Sequence, residues 1–290
     1  IYGSTVTMPN YVMPAETKTI PVSAIKPNNY VKTFAINSVC NSINTEYLDN
    51  MYELERYSVA ADNSTYYTDT CGVLYTKTTL LSYPRANTRS YYKVADGTTQ
   101  LNVRAFYRNR FLKVLDLGSS IKSVVNGNNN TLASMAGLEA IKVSTMVPPT
   151  VMTTSFSTTQ LTTGKIKLYV PLDEGATDIY GNASVWNKFY IIRDTSQFET
   201  DIRNIDVDYA IHHYKQNIDD DDYVKAETNN TKGKLLSTTA VSARTDDDYA
   251  GFDAQPFNQI TLNNSNLSVN IYYNRKYFSV TWMNGSTQIS

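Results

Sequence analysis

Val31-Lys-Thr-Phe34-Ala-Ile36 and Leu54-Glu-Arg-Tyr57-Ser-Val59 carry apolar or tyrosyl side chains at the same three places, first, fourth and sixth, 23 residues apart. The last two of these marks are separated by one small residue, Ala35 or Ser58, which is the period of a strand with one face inward. Between the two stretches, Ile43 and Leu48 fall seven and twelve residues after Ile36, and Leu54 falls eighteen after it. A segment this short cannot bury its apolar side alone. Repetition of the same marks along the chain would let stacked copies bury one another.

The pattern does repeat. Met8-Pro-Asn-Tyr11-Val-Met13, Leu112-Lys-Val-Leu115-Asp-Leu117 and Leu138-Glu-Ala-Ile141-Lys-Val143 fit at all three places. Arg89-Ser-Tyr-Tyr92-Lys-Val94 and Lys165-Ile-Lys-Leu168-Tyr-Val170 fit at the last two. The middle mark stands at 11, 34, 57, 92, 115, 141 and 168, so the steps are 23, 23, 35, 23, 26 and 27. The intervening marks recur as well, at Ile20, Ile25 and Val31 after Met13 and at Leu101, Phe106 and Leu112 after Val94. The spacing predicts a mostly β, right-handed solenoid of about seven coils, with a parallel sheet along one side and strands about 4.8 Å apart.

The stretch Cys71-Gly-Val-Leu-Tyr-Thr-Lys-Thr-Thr-Leu-Leu-Ser-Tyr-Pro84 resembles the hairpin insertion of BspA-type leucine-rich repeats. A ribbon over Gly72 to Tyr83 accounts for the 35-residue step. The stretch Leu168-Tyr-Val-Pro-Leu, with Tyr180 and Trp186-Asn-Lys-Phe-Tyr-Ile-Ile192, is similar to the ending of that family. Trp186, Phe189 and Ile191 would cover the last coil. The resemblance extends over residues 1–195 and implies a cell-surface or secreted bacterial protein of adhesin-like function.

Composition changes near residue 195. Asp194-Thr-Ser-Gln-Phe-Glu-Thr-Asp201 is polar and reads as a linker. Short alternating segments follow over residues 205–280, including Ser237–Ala243 and Gln259–Leu262, with turns expected at Asp219–Asp222 and Gly233. Tyr209-Ala-Ile-His-His-Tyr-Lys-Gln-Asn217, Gly251-Phe252 and Val269-Asn-Ile-Tyr-Tyr-Asn-Arg275 resemble the mucin-binding-type β-grasp modules of Gram-positive surface proteins. Tyr277-Phe-Ser-Val-Thr-Trp-Met-Asn-Gly285 resembles the first strand of an internalin B-repeat, so residues 281–290 read as the start of a further, truncated module. Ile1-Tyr2-Gly3-Ser4-Thr5 is not a signal peptide, and both ends read as boundaries of something longer.

The 290 residues are 41% hydrophobic and 18% charged, with 23 tyrosines and a net charge of −1. A core is therefore possible, a global basic field for nucleic acid is not expected, and no apolar run approaches the ~18 residues of a membrane span. Cys40 and Cys71 are the only cysteines, and with His212 and His213 they do not make a zinc motif. The cysteines read as buried free thiols, with a disulfide as the alternative. The histidines alternate across a strand pattern and sit in no nucleophile–base arrangement. The acidic runs Asp219–Asp222 and Asp246–Asp248 lack EF-hand spacing and read as solvated turns. No catalytic residue, metal or cofactor is assigned.

The strand face is the better candidate. If the marked residues point inward, Val12, Ala35, Ser58, Lys93, Asp116, Lys142 and Tyr169 point outward, flanked by Asn10, Thr33, Arg56, Tyr91, Val114, Ala140 and Lys167. Arg56, Ser58, Tyr91, Lys93, Asp116, Lys142, Lys167 and Tyr169 are the expected ligand contacts, because Arg and Tyr are enriched at binding hot spots. The expected partner is a host or neighbouring-cell protein or glycan. The alternative is a spacer that binds nothing and presents another domain.

Overall fold

Three of the short alternating segments pair in parallel at the 23-residue step. A computed structural model of the protein describes residues 8–22, 24–124, 130–162, 166–189, 191–263 and 267–289. Asn10–Val12, Thr33–Ile36 and Arg56–Val59 form one sheet, with Tyr11 beside Phe34 beside Tyr57. Tyr91–Lys93, Val114–Asp116, Ala140–Lys142, Lys167–Val170 and Ile191–Asp194 form a second, with Tyr92, Leu115, Ile141, Leu168 and Ile192 in one row. The seven marked segments are thus all strands in the predicted register within each sheet. Ile191–Asp194 is an eighth, which the sequence reading treated only as terminal cover. Residues 1–5, Lys165 and Ser290, on which other expectations fell, lie outside the described residues.

The marks seven residues further on build parallel pairings of their own. Thr19–Ile20 lies beside Ser42–Ile43, and Thr79–Ser82 beside Gln100–Leu101 beside Ser123–Val124. Ile25, Leu48 and Phe106, at the twelve-residue mark, and Val31, Leu54 and Leu112, at the eighteen-residue mark, are buried with them. Buried asparagines satisfy backbone groups that the short strands leave unpaired. Asn109 donates to the carbonyls of Pro84, Arg85 and Asn87 and accepts from the N–H of Phe111 and Leu112.

The expected single ladder breaks at the insertion. Leu74–Tyr75 and Thr79–Ser82 form the predicted antiparallel hairpin, and Tyr67–Thr68 adds a strand to it. At its base, Tyr57 N–H donates to the Gly72 carbonyl at 2.8 Å, so the insertion takes the place beside Arg56–Val59 that the next strand would take. Gly72 has φ +75, and a Cβ there would stand 2.5 Å from the Arg56 Cβ. Only glycine fits such an approach in the left-handed region. The apolar interior divides accordingly into one cluster from Met13 to Leu81 and another from Cys71 to Phe189.

The far end closes on rings. Trp186 packs on Phe156, Tyr180 and Phe189 with centroids 5.4–6.3 Å apart across the group, and its indole N–H donates to the Pro149 carbonyl. Cys40 and Cys71 are buried free thiols.

The chain divides into two compact units, one of residues 1–207 with 263–265 and one of 208–262 with 266–290. The segment from Asp194 to Asp201 is therefore no linker; Phe198–Ile202 is a short helix of the first unit, with Phe198 and Ile202 buried. In the second sheet region, strands run in the order Tyr223–Lys234, Asp206–Gln216, Ser268–Arg275, Phe252–Ala254, with the middle pair parallel and the last antiparallel to its neighbour. Val269, Ile271 and Tyr273 line its buried side with His213 and Tyr249.

Two expectations for this unit fail. Ser237–Ala243 and Gln259–Leu262 form no extended ladder; they pair at an isolated bridge, Thr238 to Thr261, with Thr239 N–H donating to the Ile260 carbonyl and Leu262 N–H to the Ser237 carbonyl. Beyond the bridge the Gln259 side chain takes the place of backbone pairing: it accepts from Val241 N–H and the Thr239 hydroxyl and donates to the Val241 carbonyl. Gly233 lies within a strand rather than a turn, and its missing Cβ makes room for Leu262 Cδ1, 2.3 Å from where that carbon would stand. Trp282–Asn284 and Thr287–Ile289 form a separate two-stranded hairpin.

Candidate binding face

Strand register places the outward row as expected: Lys93 beside Asp116 beside Lys142 beside Tyr169, and Tyr91 beside Val114 beside Ala140 beside Lys167. Register does not make the row accessible. Asp116 is 3% exposed and Tyr169 1%, so two of the expected ligand contacts are buried. The helix Phe198–Ile202 covers Tyr169 and packs on Lys142, the ion-pair partner of Asp116. The Phe198 ring meets Tyr169 edge-on at 5.1 Å, and the Lys142 ammonium sits 4.8 Å from the centroid of the same Phe198 ring. Asp201 accepts from the Tyr169 hydroxyl at 2.9 Å and pairs with Lys167 at 3.6 Å and Arg193 at 3.2 Å.

Under this strap the strand face becomes an internal polar layer. Asp116 pairs with Lys142 at 3.6 Å, accepts from the Gly118 N–H at 2.8 Å and from the Tyr91 hydroxyl at 3.4 Å. Burial raises the Tyr91 phenol, and the Asp116 charge raises it further. Burial likewise raises Tyr169, with the Asp201 carboxylate adding to it. Tyr91, Lys142 and Lys167 remain half-buried.

The other expected residues stay open. Arg56 and Lys93 are exposed and Ser58 is half-buried. Lys93 pairs with Asp96 at 3.0 Å. Where the two sheets part there is a cavity of about 290 Å3, walled by Glu55 and Arg56 on one side, Thr70 and Cys71 from the insertion, and Thr88 and Arg89 before the next strand. Asn87 ties the three walls together. Its amide donates to the carbonyls of Glu55 and Cys71, and its carbonyl oxygen accepts from Arg89 N–H and the Tyr83 hydroxyl. Sequence reasoning found Arg56 but missed Arg89, Thr70 and Thr88, because the insertion brings them in across a break that spacing alone does not place.

A larger cavity, about 690 Å3, lies among the turns at Thr99, Ser119–Lys122 and Thr145–Thr150. The two histidines divide as their alternation predicts. His213 is buried, with Nδ1 2.9 Å from the Tyr273 hydroxyl, while His212 Nδ1 meets Thr228 Oγ1 at 2.9 Å. Burial lowers the His213 pKa, and Glu227 opposes that shift. The Asp220 carboxylate caps its own turn, accepting from Asn217 and the Asp222 N–H, and Asp246 pairs with Arg244 at 2.6 Å. Among the described residues, no group of three or more His, Cys, Asp or Glu is placed to hold a metal, and no helix is long and apolar enough to cross a membrane.

No family model matches the chain, and no curated protein matches it. Among solved structures it is similar to a leucine-rich repeat protein from Eubacterium ventriosum ATCC 27560, at 18% identity over 56% of this chain and 48% of that one, TM-score 0.39. It is similar to a leucine-rich cell surface protein from Faecalibacterium prausnitzii A2-165, at 17% identity over 64% and 54%, TM-score 0.42. It is also similar to the pneumococcal vaccine antigen PcpA, at 15% identity over 61% and 59%, TM-score 0.34. The chain spans 48% to 59% of the length of these structures.

Proposed function

We propose that this chain is part of a bacterial cell-surface or secreted binding protein, adhesin-like and without catalytic activity. Its first unit is read as a right-handed leucine-rich-repeat solenoid of the BspA type, and its second as a β-grasp-like module of the mucin-binding kind. The repeated marks, the hairpin and the aromatic ending support the first reading. The sheet order, with its parallel middle pair, supports the second. The expected partner is a host or neighbouring-cell protein or glycan.

One observation carries the functional reading: the strand face stays open, charged and preformed around Arg56, beside the cavity that Asn87 holds in shape. Binding surfaces are concave and largely built before the ligand arrives. Asp116 and Tyr169 leave the set of ligand contacts, and Arg56, Ser58 and Lys93 remain its centre. A mixed glycan and matrix-protein array is the test, with the whole chain, Arg56→Ala and, as a control outside the set, the exposed Lys188→Ala. Binding that Arg56→Ala weakens and Lys188→Ala leaves alone is the expected result. Hydrolysis of a polysaccharide by the pure chain would count against the non-catalytic reading.

The strap favours a second reading. A face whose larger sheet is covered by its own chain serves internal packing, as a stalk or spacer requires. Absence of binding across the whole array selects that reading.

A further inference from the structure

Four arginines gather at turns of the first unit, and shared partners tie three of them together. Arg85 and Arg104 both donate to Asp49, one to its carbonyl oxygen and the other to its carboxylate, each at 3.3 Å. Arg104 and Arg108 both stand on the Tyr107 ring, 5.3 and 4.7 Å from its centroid. Arg85 lies 4.4 Å over the Tyr52 ring, and Arg110 lies 5.5 Å over Phe111. Burial lowers the Arg85 pKa, and the charges of Arg108 and Arg110 lower it further, so these neighbouring guanidiniums share one field.

Acidic groups balance only part of that charge. Arg104 pairs with Asp49, and Arg110 with Glu53 at a loose 4.0 Å. Arg85 meets the Tyr52 ring and the Asp49 carbonyl oxygen, and Arg108 the Tyr107 ring; among the described residues neither is in an ion pair. Even with the exposed Glu46 counted, whose carbonyl takes Arg104, four guanidiniums face three carboxylates.

The backbone at two of these residues disfavours arginine. Arg104 has φ +57 and Arg108 φ +62, in the left-handed region. One coil on, at the 26-residue step, Asn130 and Ser134 hold the same two left-handed positions. The coil needs that conformation and does not need arginine, since asparagine or glycine adopts it at less cost. Ion pairing accounts for Arg104. Arg108 is exposed and rests on one ring, so packing alone gives little reason for arginine there.

The surface also selects among anions. Tyr52, Tyr107 and Phe111 each carry a guanidinium, which leaves little ring surface for a nucleotide base to stack on. Protein partners dock through an apolar centre, and the rings that would supply one lie beside cations. A guanidinium seated on a ring still has N–H donors for an oxyanion and takes two oxygens at once. Close-set cations call for close-set anions, and a sulfated sugar chain carries several along each turn of its length.

We propose that the turn surface of Arg85, Arg104, Arg108 and Arg110 docks a sulfated glycan chain, with Arg108 and Arg110 contacting its sulfates. It is a second surface, independent of the strand face at Arg56.

The test titrates the whole chain with a heparin octasaccharide, the same octasaccharide after removal of its sulfates, and an oligothymidylate of matched length. The sulfated chain is expected to bind at least about tenfold more tightly than either other probe, and more weakly as salt rises. Arg108→Asn and Arg110→Gln should each weaken it about fivefold. Arg108→Asn should melt with the parent or above it, because asparagine suits the left-handed backbone. Arg56→Ala and the exposed Lys188→Gln should bind as the parent does. Equal binding of the desulfated chain or of the oligonucleotide overturns the assignment, as does full binding by both Arg108→Asn and Arg110→Gln. A loss in Lys188→Gln as large as in Arg108→Asn overturns it by marking a response to net charge alone. An Arg108→Asn chain that melts well below the parent overturns it by giving the arginine a structural reason. The strand-face reading turns on Arg56 and stands or falls separately.

Discussion

The Tyr169 hydroxyl donates to the Asp201 carboxylate at 2.9 Å, joining the outward row of a strand to a helix 32 residues further along. The same carboxylate carries the ion pairs to Lys167 and Arg193. One acidic residue thus pairs with two cations of neighbouring strands, Lys167 and Arg193, and Phe198 packs on Tyr169 beside it. The acidic end of Asp194–Asp201 is what the covered face requires, since an apolar residue at 201 would leave the Tyr169 hydroxyl and Lys167 without the partner that Asp201 supplies.

Removing the strap's ring should cost the first unit most. Phe198 is 2% exposed and packs on Tyr169 and Lys142. Phe198→Ala is expected to destabilise the unit by about 3 kcal/mol. It should also let the raised Tyr169 phenol fall back towards its ordinary value, because burial is the first cause of its shift. Denaturant melts read the stability, and ultraviolet titration of the tyrosines reads the phenol. A melt unchanged within error would mean that the strap does not hold the face closed.

Glycine is required at one turn and merely convenient at another. At Gly72, φ is +75 and a Cβ would stand 2.5 Å from the Arg56 Cβ; at Gly97, φ is +82 with nothing within 4 Å. Gly72→Ala should therefore cost about 2–4 kcal/mol, from the left-handed backbone together with the clash. Gly97→Ala should cost about 1 kcal/mol, from the backbone alone. Equal losses in paired chemical denaturation would show that the close approach of the insertion to Arg56–Val59 is not what selects glycine.

Much of this was legible in the sequence, and the boundary of legibility is physical. Tyr11, Phe34 and Tyr57 align because a strand side chain buried at a fixed step has few alternatives, so spacing alone identifies the row. The hairpin showed itself by the 35-residue step. The strap did not, because its signal is only two apolar residues, Phe198 and Ile202, four apart in a polar stretch. Two such residues make one helical turn and no period. Exposure of the outward row failed at Asp116 and Tyr169 for the same reason: register fixes which way a side chain points, and a distant segment decides whether solvent reaches it. Arg89 entered the candidate site only through the break that Gly72 makes in the sheet.

Asn109 is fully buried and serves five backbone groups. Asn109→Ala would leave the Arg85 and Asn87 carbonyls and two N–H groups without this partner, while the Pro84 carbonyl keeps Asn87 N–H; the expected loss is about 3 kcal/mol or more, beyond what its volume explains. Asn109→Asp should be no better, since a carboxylate faces the carbonyls of Pro84, Arg85 and Asn87 with no hydrogen to donate. Hydrogen exchange should rise first at Phe111 and Leu112, whose N–H groups lose their acceptor in the alanine variant. If both variants melt with the parent, water has replaced the side chain and the coils are not joined through it.

The second unit should lose stability in acid through His213. Its folded-state pKa lies below the ordinary value of 6.5 because burial disfavours the imidazolium. Below about 6.5 the unfolded chain therefore binds more protons than the folded one, so stability rises with pH across that window. The contribution is fully present above the unfolded pKa and is lost as pH falls through the folded one. The groups facing the ring set the extent: Glu227 and Asp246 favour the charged form, Arg244 opposes it, and the Tyr273 hydroxyl bonds to Nδ1. His213→Gln keeps a hydrogen-bonding side chain and removes the titration. Melts of the parent between pH 7.5 and about 5 should show a decline that the variant lacks, and tyrosine fluorescence follows the same transition because Tyr249 and Tyr273 pack on the ring. Parallel curves for the two chains would place the acid sensitivity elsewhere, and a parent that gains stability in acid would reverse the sign argued from burial.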